Sequence, residues 1–329
     1  MLALDLGASL VRAAIVDPDG RLLSRSEGPT PLVDGPDALV RACVDHLIGA
    51  RDAAGAGARP HAIGVAAPGP LDPWTGTLTE PPNLGPAFHG LPLGADLAAA
   101  LDLPVAVDRD TQVALLAEAT FGAAEGLRDA VYLTVSTGIG GAVLSDGRLL
   151  VGPDGTAGEL GHMTIDLDGP LCGCGARGHL EAIASGAAIA NLARESGAFP
   201  PGVTARDVAR AEGSGDPTAV AIMTRARRAF AAACVSIVDI FDPEVIVVGG
   251  AIARNQGERW LGPAREAVRR DAFHAPARRV RIVPAALGAD VGLVGAQPLV
   301  AARQRDGTLI HPSTQSSSRT PIGAAATAH

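Results

Sequence analysis

The chain opens on short apolar runs separated by turn residues, a pattern that predicts strands rather than helices. Leu2–Leu6, Leu10–Val16 and Leu22–Ser26 read as three strands, with Asp17-Pro-Asp-Gly20 turning between the second and third. The period then changes. Over Asp37–Ala53, residues Leu39, Val40, Cys43, Val44, Leu47 and Ile48 share one helical face. Ile63–Ala67 and Val105–Asp108 read as buried strands ending in loops, and Thr111–Phe121 as a helix.

The opening pattern then repeats. Val131–Val135 is a strand, Ser136–Gly141 a glycine loop, Ala142–Leu144 a strand, and Asp146-Gly147 a turn. Asp19-Gly-Arg-Leu-Leu23 recurs as Asp146-Gly-Arg-Leu-Leu150, and it closes the same strand, loop, strand, turn series each time. Two copies of one supersecondary unit predict two related α/β domains facing each other. The second half adds a helix over 217–240, with Asp216 as N-cap and Pro217 in the first turn. A strand Val245–Val248 follows, running into Gly249-Gly250, then a strand Arg281–Val283 and a last apolar helix over Val291–Ala302. From Gly307 to His329 the chain is Ser, Thr, Pro and Ala without a period, which predicts a disordered tail.

Composition narrows the chemistry. At 329 residues the chain has room for two cores, at roughly 100–200 residues per domain. A net charge of -8 argues against a nucleic-acid face. No apolar run approaches the ~20 residues of a membrane span, and the N-terminus carries no secretory pattern, so a cytoplasmic protein is expected. All 27 basic residues are arginine. Lysine chemistry is therefore excluded, including Schiff bases and the Walker A loop. Phosphates would have to be held by backbone N–H groups, metal ions and arginine.

Two glycine loops offer such N–H groups: Asp5-Leu-Gly-Ala-Ser9 and Thr137-Gly-Ile-Gly-Gly141. Either alone reads equally well as an ordinary turn. Together with Gly249-Gly250 in a duplicated frame, they fit a nucleotide clamped between two domains. Asp5, at a strand end, could hold magnesium through water. Asp108-Arg-Asp-Thr-Gln112 places two carboxylates between a buried strand and a helix, where one could take a proton from an attacking hydroxyl. Both could instead pair with Arg109 or cap the helix. His162, Cys172, Cys174 and His179 lie within eighteen positions, a two-Cys, two-His set suited to structural zinc. A Cys-Gly-Cys disulfide or a free thiol pair are the competing readings. Glu159 and Glu181 bracket that loop, as acceptors for substrate hydroxyls or as solvated charges. Cys43 and Cys234 read as packing residues.

These motifs, in their order, resemble the ROK (repressor, open reading frame, kinase) family of sugar kinases. The resemblance covers about residues 1–303 and rests on Asp5–Ser9, Ala67–Asp72, Pro82–Leu84, Asp108–Asp110, Ser136–Gly141, Ala157–His162, Cys172–Glu181 and Val248–Gly250. It implies an α/β fold of two RNase H-like domains, of the actin-like ATPase superfamily, with ATP and sugar in the cleft. The expected boundaries are 1–118 plus 289–305 for a small domain, 119–288 for a large domain with the zinc loop, and 306–329 for the tail. The resemblance implies ATP-dependent phosphorylation of a hexose 6-hydroxyl, on glucose or an N-acyl hexosamine, with Asp110 as general base. Gly69, Asn83, Arg109, Asp110, Glu159, His162 and Glu181 would face the sugar, His162 also binding zinc. Asp5, Gly7, Ala8, Ser9, Thr137, Gly138, Gly140, Gly249 and Gly250 would hold ATP. Mg²⁺ and structural Zn²⁺ would be the metals.

The sequence departs from the family pattern at Arg109, where the family has an Asn that contacts sugar. A charged fork of five donors is not equivalent to an amide. A changed acceptor, weaker binding, or a non-catalytic sugar-binding or regulatory protein would follow. His179 stands where a third cysteine is usual, and Ala8 and Ser9 where Gly and Thr are common. The family's repressors carry an N-terminal helix-turn-helix, whereas this sequence opens on the phosphate strand, so DNA binding is not expected. A dimer or tetramer is expected by resemblance.

Overall fold

The computed structural model describes residues 1–55 and 57–312. Its strands are β1 (Leu2–Leu6), β2 (Leu10–Val16), β3 (Leu22–Pro29), β4 (Ile63–Ala67), β5 (Leu71–Asp72), β6 (Thr77–Leu78), β7 (Val105–Arg109), β8 (Ala130–Val135), β9 (Ile139–Ser145), β10 (Arg148–Leu149), β11 (Val245–Gly249) and β12 (Arg281–Pro284). One sheet has the order β3-β2-β1-β4-β7 and the other β10-β9-β8-β11-β12; β5 and β6 form a separate ribbon. In each large sheet the first three strands are antiparallel and the last two are parallel additions. The repeated pentapeptide occupies the same corner of both sheets, its Asp-Gly making the turn into the third strand.

Burial explains which strands sit centrally. All five residues of β1, β4, β7 and β11 are buried, whereas β3 alternates between half-buried and exposed, as an edge strand must. The helix Pro36–Ala53 buries Leu39, Cys43, Leu47 and Ala50 against the first sheet. The 25-residue helix Pro217–Phe241 begins as expected: Asp216 accepts from Ala219 N, and Pro217 occupies the first turn. Such a cap contributes about 1 kcal/mol.

Several elements depart from the sequence reading. Gly140 and Gly141 lie inside β9, paired with Thr134 and Leu133, so the second loop shrinks to residues 136–138. The expected single C-terminal helix is two, Val291–Val294 and Ala296–Asp306, broken at Gly295, where a side chain would strike Val113 O. Both pieces return to pack on the first sheet. Residues 307–312, assigned to the tail from composition, are ordered. Ile310 exchanges both backbone hydrogen bonds with Val105, at 2.8 and 2.9 Å, and buries its side chain in the first core. Leu309 beside it packs on the cluster around Val113 and Leu299, and this apolar pair was enough, because the β7 edge otherwise presents unpaired backbone groups. Residues 313–329 lie outside those described. No helix among the described residues is long and apolar enough to cross a membrane.

The helix Asp110–Phe121 lies between the two sheets and touches both cores. Its far end is pinned by Glu118, fully buried, whose carboxylate accepts from Ala123 N at 2.7 Å, Ala286 N at 2.9 Å and Leu287 N at 3.0 Å. The last two donors belong to the segment after β12, so one carboxylate fastens the helix to the second lobe. The N-terminus of this helix is thereby held as a rigid point between the lobes.

Candidate active site

Asp110 is the first residue of that helix. Its Oδ1 accepts from Thr111 N at 2.7 Å, and its side chain is open to solvent. Protein nevertheless surrounds it closely enough to lower the local dielectric, and this desolvation is the main reason its pKa is pushed up to about 6. The nearby carboxylates of Asp5 and Glu159 raise it further, while the Thr111 N–H and the Arg109 guanidinium pull it down. A carboxylate with pKa near 6 is ionised at neutral pH and is a better base than an ordinary aspartate.

Neither carboxylate of the 108–112 segment pairs with the Arg109 guanidinium. Asp108 is fully buried and takes Arg303 Nη2 at 2.7 Å and Arg109 N at 2.8 Å. Arg109 is only 2% exposed, and its guanidinium crosses to the other lobe, ion-pairing with Glu159 and donating to Ala157 O. With its amide turned to match donors with acceptors, Gln112 accepts from Arg109 Nη2 at 2.8 Å and donates to Asp108 Oδ2 at 3.1 Å. Gly69 lines the stem of Arg109: a Cβ there would lie 2.8 Å from Arg109 Cδ. Arg109, expected to present donors to a sugar, is instead buried behind Glu159.

The two phosphate-type loops keep free donors. In the first, Gly7 N bonds Leu10 O at 2.9 Å and Thr30 Oγ1 bonds Gly7 O at 2.7 Å, leaving the N–H groups of Ala8 and Ser9 uncommitted among the described residues. In the second, Ser136 N bonds Gly138 O at 2.9 Å, while Gly186 N and Ala187 N hold Ser136 O and Thr137 O at 2.8 and 3.0 Å. The N–H groups of Thr137 and Gly138 are likewise free among the described residues. Such paired N–H groups suit anionic oxygens. Gly249 ends β11 against the Tyr132 hydroxyl, and Gly250, at φ 90°, packs on Val135 O, so both positions require glycine.

Asp5 sits beside the first loop, and burial raises its pKa against the pull of Arg12, which ion-pairs with it. Arg12 also donates to Ala289 O at 2.7 Å. A divalent cation fits this place. Asp5 and Asp110 repel each other next to free phosphate donors, and a cation reached through water would relieve that repulsion.

The Cys/His loop folds as a small clamp. Ile165 N bonds Gly178 O at 2.8 Å and Leu180 N bonds Met163 O at 2.9 Å, which brings His162 beside His179. Cys172 N bonds Ala176 O at 2.7 Å, closing a tight turn with Cys174 inside it. The four donor atoms lie within 4.8 Å of one another. His162 Nδ1 is 3.2 Å from His179 Nδ1 and 3.7 Å from Cys172 Sγ, and Cys174 Sγ is 3.3 Å from His179 Nδ1. A tetrahedral centre with bonds of ~2.0–2.3 Å separates its donors by about 3.3–3.8 Å, so the residues fit zinc. His162 turns Nδ1 toward His179 and Cys172, which leaves Nε2 on the other side of the ring.

The helix Leu180–Ala184 starts at His179 and carries Glu181 to the second phosphate loop. Glu181 Oε2 accepts from Ile139 N at 2.8 Å, and a Cβ on Gly138 would lie 2.6 Å from the same oxygen. The clamp, the acidic residue and the phosphate loop therefore form one connected unit. Asn83 is exposed in the turn 82–84 and makes no hydrogen bond to this group among the described residues. Sequence reasoning missed Arg12, Gln112, Glu118 and Arg303. Arg12 was recoverable, since a hairpin turning at 7–9 places it opposite Asp5. Arg303 had no local signal. A groove of about 970 Å³ along helix Pro217–Phe241, bordered by Ile165, Ile183 and Arg225, is lined by none of these residues.

The family model for the ROK family matches residues 1–303. The chain belongs to the ROK family. Among ROK relatives, a glucokinase of Thermotoga maritima is 32% identical over 92% of this chain and 98% of its own length. An N-acetylmannosamine kinase of Escherichia coli is 37% identical over 90% of this chain and 96% of its own. The crystal structure of a ROK family glucokinase from Streptomyces griseus, in complex with glucose and AMPPNP, superposes with a TM-score of 0.75. It is 31% identical, covering 91% of this chain and 98% of that one. The two-sheet architecture is thus the actin-like two-domain fold of ROK sugar kinases.

Proposed function

We propose that this ROK-family sugar kinase transfers the γ-phosphoryl group of ATP to the 6-hydroxyl of a hexose, glucose or an N-acyl hexosamine, with Asp110 as the base. The observation that carries the reading is Asp110 itself. Its carboxylate is solvent-open, unpaired with arginine, raised to about 6, and mounted on a helix fixed between the lobes. Relatives named for glucose and N-acetylmannosamine, and one crystallised with glucose and AMPPNP, support the same acceptor and donor classes.

The acceptor O6 hydroxyl donates its hydrogen bond to Asp110. As O6 bonds to the γ-phosphorus in line, the bond to the β-bridging oxygen breaks, ADP departs, and the O6 proton passes to Asp110. Phosphoryl transfer proceeds through a loose transition state, so Asp110 mainly orients the hydroxyl and takes the proton late. Glu159, Glu181 and His162 Nε2 accept from or orient the other sugar hydroxyls. The free N–H groups of Ala8, Ser9, Thr137 and Gly138 hold phosphate oxygens, with Gly249 and Gly250 near the nucleoside. Asp5 would hold Mg²⁺ through water, which supplies charge neutralisation on the phosphates. His162, Cys172, Cys174 and His179 would hold Zn²⁺, which fixes the loop that presents Glu181.

The reading without catalysis was motivated by Arg109. With that guanidinium turned onto Glu159 and away from Asp110, the motive weakens. A coupled assay of ADP release over glucose, N-acetylglucosamine, N-acetylmannosamine, mannose, fructose and allose tests the proposal. Sugar-dependent ADP release that Asp110→Asn reduces by about 10²–10⁴ is expected. Equal turnover by that variant removes Asp110 from the base role, and no turnover on any sugar removes the kinase reading.

A further inference from the structure

The Arg109 guanidinium is almost wholly buried, yet its Nε has no hydrogen-bond partner, an arrangement that costs free energy and calls for a reason. Its terminal nitrogens supply one. They reach from the end of β7 in the first lobe to Glu159 and Ala157 O in the second, while Gln112 and Gly69 fix the fork from behind. Glu159 is the more exposed partner, its side chain 34% accessible against 3% for Arg109. Only Oε1 of Glu159 is engaged, so Oε2 is left for a ligand. We propose that Arg109 is a positioning residue that holds Glu159 of the second lobe beside Asp110, so that the acceptor-sugar subsite is assembled before any ligand binds.

This inference rests on the sugar-kinase reading and deepens it. Where two lobes must close to bring a sugar-binding carboxylate to the base, acceptor affinity depends on nucleotide. Here the strap performs that closure in advance, and a neutral asparagine at position 109 lacks the reach and the charge to do so. The acceptor meets Glu159 and not the guanidinium, so the chain's departure from the family acts on affinity through a neighbour rather than by a new contact to sugar.

The test is calorimetric titration of glucose and N-acetylmannosamine into the nucleotide-free protein and into the protein saturated with AMPPNP, with steady-state kinetics alongside. Arg109→Met keeps the stem packed on Gly69 and removes the fork. It should weaken acceptor binding to the nucleotide-free protein by about tenfold or more, with AMPPNP recovering most of the loss, and should raise acceptor KM while kcat changes only a few-fold. Arg109→Lys, which keeps the charge and serves if the Met variant fails to fold, should fall between. In the double variant with Glu159→Gln, the Met substitution should add almost nothing, because it acts through Glu159. Additive losses, or unchanged or tighter acceptor binding in both Arg109 variants, overturn the inference. Wild-type binding of either sugar without phosphoryl transfer defeats the kinase reading and leaves the strap standing. Absence of binding for both sugars overturns the inference, and defeats the kinase reading as well only where no sugar of the panel is turned over.

Discussion

Arg303 Nη2 donates to Asp108 Oδ2 at 2.7 Å across 195 positions of sequence, and both side chains are almost fully buried. This bond ties the last helix to the strand that carries Asp110 two residues on. Removing one partner of a buried pair leaves a desolvated charge, which is far costlier than the pair itself is stabilising.

Arg303→Met should therefore lower stability by ~3–5 kcal/mol in a denaturant titration at pH 7. Without its arginine, burial of Asp108 is opposed only by the Arg109 N–H and guanidinium, and the folded pKa rises further above the unfolded value. Protonation then relieves the cost, so the deficit should shrink as pH falls and grow as it rises. A loss that is small and independent of pH would show that the pair is not what fastens this helix.

The acid limb of kcat/KM should follow Asp110. With a pKa of about 6, activity should hold above that pH and fall roughly tenfold per unit below it. A limb near 4 would place the governing base elsewhere.

Asp110 also predicts a stability effect of opposite sign to its effect on rate. Its folded pKa of about 6 exceeds the ordinary 3.8, so ionisation destabilises the fold as pH rises through that window, and the cost persists at pH 7. Asp110→Asn should raise Tm at pH 7, with the gain vanishing below about pH 4. A lower Tm at pH 7 contradicts the environment described for this carboxylate.

Gly138→Ala places a methyl 2.6 Å from the Glu181 carboxylate, inside the second phosphate loop. The loop or the carboxylate must shift, so KM for ATP should rise by about tenfold or more while Tm falls by only a few degrees. Equal KM values for wild type and variant would mean that this loop does not hold phosphate.

Purified protein should carry about one equivalent of zinc, lost on replacement of Cys172 or Cys174 by serine. Burial raises the Cys172 thiol pKa, so in the metal-free state it stays protonated, and zinc binding releases that proton. Chelation should lower Tm and raise acceptor KM, because the same loop positions Glu181 and His162. Metal analysis with no zinc, or chelation without effect on either quantity, removes this role.

Much of this was legible locally. The strand and helix periods, the Asp216 cap, the repeated corner at Asp19 and Asp146, and the spacing of His162, Cys172, Cys174 and His179 are all short-range features. The order of motifs made the family recognisable as well. Less accessible was anything depending on a partner far along the chain. Leu309 and Ile310 read as one apolar pair in a polar tail until the unpaired edge of β7 is placed beside them. Gly140 and Gly141 read as loop, although pairing with β8 makes them strand.

Arg109 marks the boundary most clearly. Its identity alone declares a charged fork next to a base and leaves open whether the fork faces Asp108, Asp110 or a sugar. Periodicity and capping arise within a few residues and are therefore written into the local order of amino acids. The direction of a guanidinium is chosen by whichever acceptors the fold brings within reach. Here these are Glu159 and Ala157, delivered by the opposite lobe.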